Sequence, residues 1–409
     1  MKFIKLQFFA IIAIIMTSCN TDKTLEGQLV NQYSNCFRDN NYNFDKFYYY
    51  NYYVDTPENT KIEGAITAPL AISSSRVAVA SSDGYLSLIS GNQIIWSSKL
   101  KNDAVALTGI TADKELNLYL VGSDKAIYSY KITGDLRWRL QLIPIQEEFV
   151  LFSELLVLND GIVIAASNGD IFKINFEGKK LWQKKSNLVP LKVFPAFESG
   201  KIVIPLTNNT IGETDSLMII NNDGKITRQK SFENTRLIGN SAIHGDKIII
   251  TGIKQEGNIR VYKLIVLDSL SNIKWEKSID KMPRFTSIDS DGNIYLVSQT
   301  TGFAEDVSSI YCFNQQGTLI WSKDFDFTIP SPLLISKNLL AFLSSNINTK
   351  AIHFIDKNGD YKKILSLSNV PVLKLHPIVR PDGVITLAGG EKLCIIRIDE
   401  IWINKIIPW

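Results

Sequence analysis

The feature that most constrains this chain is a unit that recurs about every 44 residues. Its clearest copy runs from Lys125 to Arg139, KAIYSYKITGDLRWR. Apolar and aromatic residues through Ile132 read as a strand, Thr133, Gly134 and Asp135 as a tight turn, and the run around Trp138 as a second strand. Aligned on Trp138, the unit returns at Trp96, Trp182, Trp275, Trp321 and Trp402, with Arg228 and Lys363 in the tryptophan position of two copies. Successive anchors lie 42, 44, 46, 47, 46, 42 and 39 residues apart. That period suits one four-stranded blade per repeat.

The third repeat shows the whole unit. Glu154 to Leu158, Ile162 to Ala166, Asp170 to Phe176 and Lys180 to Lys185 are the expected strands, and each intervening turn carries Asn, Asp or Gly. The first turn recurs at Glu198-Ser199-Gly200, His244-Gly245-Asp246, Ser290-Asp291-Gly292 and Pro381-Asp382-Gly383. No amphipathic helical pattern follows the N-terminal leader, so the fold class is all-β. A twisted sheet with two apolar faces, as in Ile202 to Ile204 and Lys247 to Ile250, cannot bury both alone. A ring of sheets packed face to face buries both and leaves only short edges. Eight anchors predict an eight-bladed β-propeller of four-stranded antiparallel blades over residues 60–409; seven blades plus an irregular end is the alternative. The last repeat either closes on the first intact or shares a blade with an N-terminal strand.

Residues 1–18 read as a secretory signal. Lys2 and Lys5 precede an apolar run from Phe8 to Met16 that is too short for a permanent span. Ile15 to Cys19 resembles a bacterial lipobox, which implies cleavage before Cys19 and lipid attachment to it. The following Asn20-Thr21-Asp22-Lys23 has no aspartate directly after the cysteine, so inner-membrane retention is not favoured. The expected location is the outer membrane of a bacterial envelope, on its periplasmic or its surface side. Residues 19–59 form a tether that ends in a tyrosine-rich run from Phe44 to Val54, expected either to pack on the propeller or to contact a sugar or protein.

The 44 basic and 41 acidic residues leave no overall electrostatic case for nucleic acid. Cys312 and Cys394 fall in repeats that are not ring neighbours, which argues against a disulfide between them. The three histidines, His244, His353 and His376, have no metal-ligand spacing. Glu147-Glu148 reads as a solvated loop pair, and Asp83, Asp124, Asp170, Asp291 and Asp382 as turn residues satisfied by local hydrogen bonds. No nucleophile elbow, phosphate loop or zinc-binding helix is present.

Gly134-x-x-x-Trp138, Gly178-x-x-x-Trp182 and Gly317-x-x-x-Trp321, each after a Tyr- or Ile-rich strand, resemble the repeats of pyrroloquinoline-quinone-type propellers. That family includes quinoprotein dehydrogenases and non-enzymatic lipoproteins of outer-membrane β-barrel assembly. Its fuller motif has Ala ten residues and Asp eight residues before the Trp. Here those places hold Tyr128 and Tyr130, Phe172 and Ile174, and Tyr311 and Phe313. The family's enzymes commonly carry adjacent cysteines at the cofactor, and this chain has none. The resemblance therefore implies a non-enzymatic, cofactor-free monomeric scaffold for an envelope protein partner. A glycan- or ligand-binding lipoprotein is the alternative, with a quinone-dependent oxidoreductase third. The tryptophans are expected to be structural anchors packed between neighbouring sheets.

Overall fold

The computed structural model describes residues 66–366, short stretches excepted, and strand backbone at 43–44, 48–49 and within 376–399. Cys19, Cys36, Glu148 and Trp402 lie outside the described residues. Eight sheets follow one another along the chain, at residues 66–99, 111–141, 156–185, 196–232, 235–279, 282–325, 334–366 and 376–396, and are here numbered 1 to 8. Sheets 1 to 7 each contain four antiparallel strands in sequence order, and sheet 8 has three described strands. The third repeat matches its sequence reading closely, with strands Ile162–Ala165, Asp170–Ile174 and Lys180–Lys185. The one helical element among the described residues is a single 3-10 turn, Lys101–Asp103.

Burial follows the two-residue strand period. In sheet 2, Leu118, Leu120, Ala126, Tyr128 and Tyr130 face sheet 1 and share a core with Leu70, Ala78, Leu86 and Leu88. The alternate residues Tyr119, Val121 and Ile127 face sheet 3 and pack with Ile162, Ile164, Phe172 and Ile174. Similar cores join sheets 3 and 4, 4 and 5, 5 and 6, and 6 and 7. The first strand of sheet 1, Ile66–Ala71, also lies against His376–Val379 and Ile385–Gly389 of sheet 8. The sheets thus close into a ring.

The chain ends add pairings that the repeat pattern does not specify. Asn43–Phe44 runs parallel to the first strand of sheet 7, opposite Ile335 and Ser336. Tyr48–Tyr49, inside the tyrosine-rich run, pairs antiparallel with Ile398–Asp399. Strand backbone from before the ring therefore meets strand backbone from its last repeat.

One turn recurs between strands 3 and 4. In sheets 3 and 4 an Asn begins it, and the Asn175 and Asn221 side-chain oxygens accept the N–H groups of Lys179 and Lys225. Asp268, Asn314 and Asp356 do the same for Asn272, Thr318 and Asp360. Three residues on, the backbone enters the left-handed region, at Gly178 with φ 84° and Gly224 with φ 80°. The strand pairing shifts by a residue just beyond it. This is a type I turn closed by a glycine bulge.

The glycine also receives the tryptophan of the preceding sheet. A Cβ at Gly178 would lie 2.6 Å from Trp138 Cδ2, and one at Gly134 would lie 2.7 Å from Trp96 Cδ2. Gly224, Gly317 and Gly359 meet Trp182, Trp275 and Trp321 in the same way. Each indole N–H donates across the sheet boundary: Trp96 to Ile132 O at 2.8 Å, Trp138 to Phe176 O at 2.9 Å and Trp182 to Asn222 O at 3.1 Å. Trp275 and Trp321 likewise reach Gln315 O and Lys357 O. These rings are half-buried, covered on one side by the next sheet's turn and open on the other. Where Arg228 replaces tryptophan in sheet 4, Ser271 replaces glycine in sheet 5, with φ 64°.

His244 and His353 lie on different sheets, and the side chain of His376 lies outside the described residues. His353 lies in the third strand of sheet 7, 5% exposed, stacked on Phe342 at 5.2 Å and against Phe327 at 4.6 Å. Its Nε2 bonds with the Ser344 hydroxyl at 2.8 Å, and burial lowers its pKa from 6.5 to about 4. The imidazole is therefore neutral in the folded protein at neutral pH.

Four outcomes follow from this packing. Gly178→Ala forces both a left-handed alanine and a contact with Trp138, at a cost of about 2–5 kcal/mol. Ser271→Gly relieves a left-handed serine with no tryptophan above it and gains up to about 1 kcal/mol. Trp138→Ala costs about 3 kcal/mol, the low end for a large aromatic, because the ring is only half-buried. Thermal unfolding of the three variants checks both signs. For His353 the unfolded chain takes up a proton near pH 6.5 and the folded chain only near 4, so stability falls as pH drops through that interval. His353→Phe removes that dependence, about 3 kcal/mol across the window, which urea midpoints at pH 7 and pH 4.5 measure.

Candidate interaction face

In an antiparallel sheet the turn between strands 2 and 3 lies at the same end as the entry to strand 1 and the exit from strand 4. One face of the ring is therefore built from the strand 2–3 turns together with the links between sheets. Over sheets 1 to 3 these segments are tied to one another by a buried polar network centred on Asp124.

Asp124 sits in the strand 2–3 turn of sheet 2 and is 8% exposed. Its Oδ2 accepts from Arg139 Nη2 at 2.6 Å and Nε at 3.1 Å, and from the Tyr128 hydroxyl at 2.6 Å. Asn102 Nδ2, from the link between sheets 1 and 2, approaches the same oxygen at 3.5 Å. Burial, and then the bond to Asp124, push the Tyr128 phenol up to about 12, so it stays a donor. Gln141 Nε2 donates to Asp124 O at 2.6 Å and to Ile143 O at 2.7 Å. Lys125 Nζ caps Ile145 O at 3.0 Å and Glu147 O at 2.5 Å, which holds the link between sheets 2 and 3. Asn102, Asp103 and Lys125 all have positive φ, at 60°, 50° and 59°. Three non-glycine residues in that region, one network apart, mark a backbone held in place by its surroundings.

Both links are anchored again on their far sides. Val105 N–H donates to Ser123 Oγ at 3.0 Å, and Leu151 N–H donates to Ser167 Oγ at 2.9 Å. Gly109 N–H donates to Glu154 Oε2 at 3.0 Å, joining the first strands of sheets 2 and 3 near their starts. What this rigid frame leaves outward is apolar: Leu107 is 37% exposed, Ile145 56% and Leu151 36%. Fixed backbone beneath exposed aliphatic side chains lowers the entropy lost when a partner covers them. None of the three stands out in the sequence.

The sequence-level candidates are placed as follows. Asp124 and Asp170 do more than close their own turns: Asp170 accepts from Asn168, Gln183 and Lys185 at 2.9, 3.1 and 3.2 Å, bridging two strands. Asp83 and Asp291 are exposed, as turn residues are expected to be. Glu147 serves through its backbone carbonyl and by accepting from Asn168 Nδ2 at 3.3 Å. Cys312 is a buried free thiol raised by burial to about 12, inert as a nucleophile.

A quinone cofactor of the kind used by quinoproteins needs a metal held by carboxylate oxygens beside it. Among the described residues no three His, Cys, Asp or Glu side chains converge, and Glu154 Oε2 is engaged by the Gly109 amide.

No family model matches the chain, and no curated relative does. Solved structures do. The crystal structure of BamB from Moraxella catarrhalis is similar over 82% of this chain and 94% of its own, at 13% identity and a TM-score of 0.59. A computationally designed protein, Ika8, covers 83% of this chain and 98% of its own at 14% identity and 0.58. A europium-containing methanol dehydrogenase covers 83% and 87% at 10% identity and 0.56. Identities this low speak to fold alone, and the fold they share with this chain is the β-propeller.

Proposed function

We propose that the chain is a lipid-anchored, non-enzymatic interaction scaffold of the bacterial envelope, whose loop face over sheets 1 to 3 docks a protein partner in outer-membrane protein assembly. The observation that carries the reading is the pairing of exposed Leu107, Ile145 and Leu151 with the buried Asp124–Arg139 network that holds their loops still. A preformed apolar patch rimmed by polar groups suits protein recognition. The likeness to BamB supplies the process, and the lipobox-like segment ending at Cys19 supplies the membrane. The scaffold needs no cofactor. It is read as eight-bladed.

Two experiments test separate parts of this reading. A photo-crosslinking amino acid placed at Ile145 or Leu151 yields adducts in cells with a component of the barrel-assembly machinery, and one placed at Lys131 does not. Equal adducts from all three positions, or none, defeat the partner assignment. Cys19→Ser abolishes incorporation of labelled palmitate and releases the protein from the outer-membrane fraction; continued labelling rules out Cys19 as the anchor.

A further inference from the structure

The outer strands, fourth in each sheet, carry most of the ring's rim, and their cations are not distributed evenly by function. In sheet 1, Lys99 pairs with Asp103 at 2.7 Å. In sheet 2, Arg139 pairs with Asp124, and Arg137 donates to Tyr119 and Ser129. In sheet 6, Lys323 donates to Gly359 O and sits 4.4 Å above the Tyr361 ring. In sheet 7, Lys362 pairs with Asp356 at 2.9 Å. Sheet 3 also pairs Lys185 with Asp170 at 3.2 Å, but sheets 3, 4 and 5 carry further cations without a partner. Among the described residues of their outer strands, Lys184, Arg228, Lys230 and Lys277 make no ion pair and no side-chain hydrogen bond.

Three of these four occupy one structural position. Lys184, Lys230 and Lys277 each lie two residues after the anchor of their repeat, on the same side of the strand as Trp182, Arg228 and Trp275. At that position Ser98 and Lys323 instead donate to the glycine carbonyl of the next sheet, Gly134 and Gly359. These strands, like those of sheets 1 and 6 with Ile95 at 54% and Ile320 at 52%, carry exposed aliphatics before the anchor, here Leu181 at 46%, Ile226 at 43% and Ile273 at 45%. Leu270, in the turn before Ile273, is 53% exposed. Acidic residues in this sector are sparse, with Glu276 on a strand and Glu177, Asp223 and Asp268 in the turns.

We infer that the rim of sheets 3 to 5 is a docking surface for an anionic phospholipid bilayer. Charge complementarity selects the partner: unpaired cations in consecutive repeats, in a chain whose basic and acidic totals nearly cancel, face a negative surface. The interleaved aliphatics select lipid over a soluble polyanion, because an interface of headgroups and acyl chains rewards both kinds of side chain. Protection of sheet edges against aggregation would place free lysines on every outer strand alike. The inference is independent of the protein partner proposed for the loop face. It sets the ring on its edge against the membrane, with that face turned sideways.

Cosedimentation of the full chain with vesicles tests it. Phosphatidylcholine vesicles are compared with vesicles in which about a third of the lipid is phosphatidylglycerol, at low and at high salt. Each exposed Lys or Arg near an anionic surface contributes about fivefold to binding. The fourfold variant K184E/R228E/K230E/K277E therefore loses at least tenfold of the phosphatidylglycerol preference, and high salt erases the preference of the parent. The apolar leader or an acyl chain contributes equally to both vesicle types and cancels in the ratio. A control variant, K99E/K101E/K114E/K131E, makes the same change of net charge elsewhere and keeps the preference. Leu181→Ser, Ile226→Ser and Ile273→Ser together, at exposed positions that do not threaten folding, weaken binding to anionic vesicles with the charge unchanged. No phosphatidylglycerol preference in the parent overturns the inference. So does an equal loss in the control variant, and so does unaltered binding of the triple serine variant.

Discussion

The ring depends on the contact between each tryptophan and the turn of the sheet that follows it. An indole half-covered by a glycine turn gives its N–H to a carbonyl and its ring to bare backbone. Two demands fall on one residue of that turn: it must accept a positive φ to form the bulge, and it must leave room for the ring. Only glycine meets both. The fourth-to-fifth junction shows that the demands are separable, since Ser271 keeps the positive φ once Arg228 has removed the ring. The tryptophan and the glycine are thus one feature shared between two repeats, and they have been lost together.

That sharing also explains how far the sequence can be read. The period, the turns and the two-faced burial of strands such as Leu118–Val121 are local patterns, and the observed strands of the third repeat follow them within two residues at most ends. The Gly-x-x-x-Trp spacing misleads about contacts. Gly134 and Trp138 sit in one motif, yet Gly134 takes Trp96 while Trp138 reaches Gly178. The network at Asp124 was hidden for a related reason. Its partners Arg139 and Asn102 lie on another strand and in another link, so a turn aspartate met in sequence is indistinguishable from one satisfied by its own turn. Leu107, Ile145 and Leu151 carry no signal at all, because exposure of a single aliphatic is decided by the loop around it.

The junction between sheets 4 and 5 has to hold without its indole, and the structure shows how. Strands Thr235–His244, Lys247–Glu256 and Ile259–Leu267, of ten, ten and nine residues, are longer than their counterparts in sheets 1 to 4. The added start of the first of them packs against sheet 4: Asp215 of that sheet, fully buried, accepts the Leu237 N–H at 2.6 Å, and Leu237 joins the core that Leu217 and Ile219 share with Ile248 and Ile265. Burial and a charge-assisted bond on the inner side of the ring replace a neutral indole bond on the rim, and the former is the stronger by about twofold. The rim at this junction is then released from holding the ring together. Arg228 stands where an indole would have been turned inward, and the unpaired cations of sheets 3 to 5 flank it on either side. At Arg228 the departure from the repeat and the added rim cation are therefore two sides of one substitution, made tolerable by packing nearer the axis, while Lys184 and Lys277 are added on strands that keep their indole.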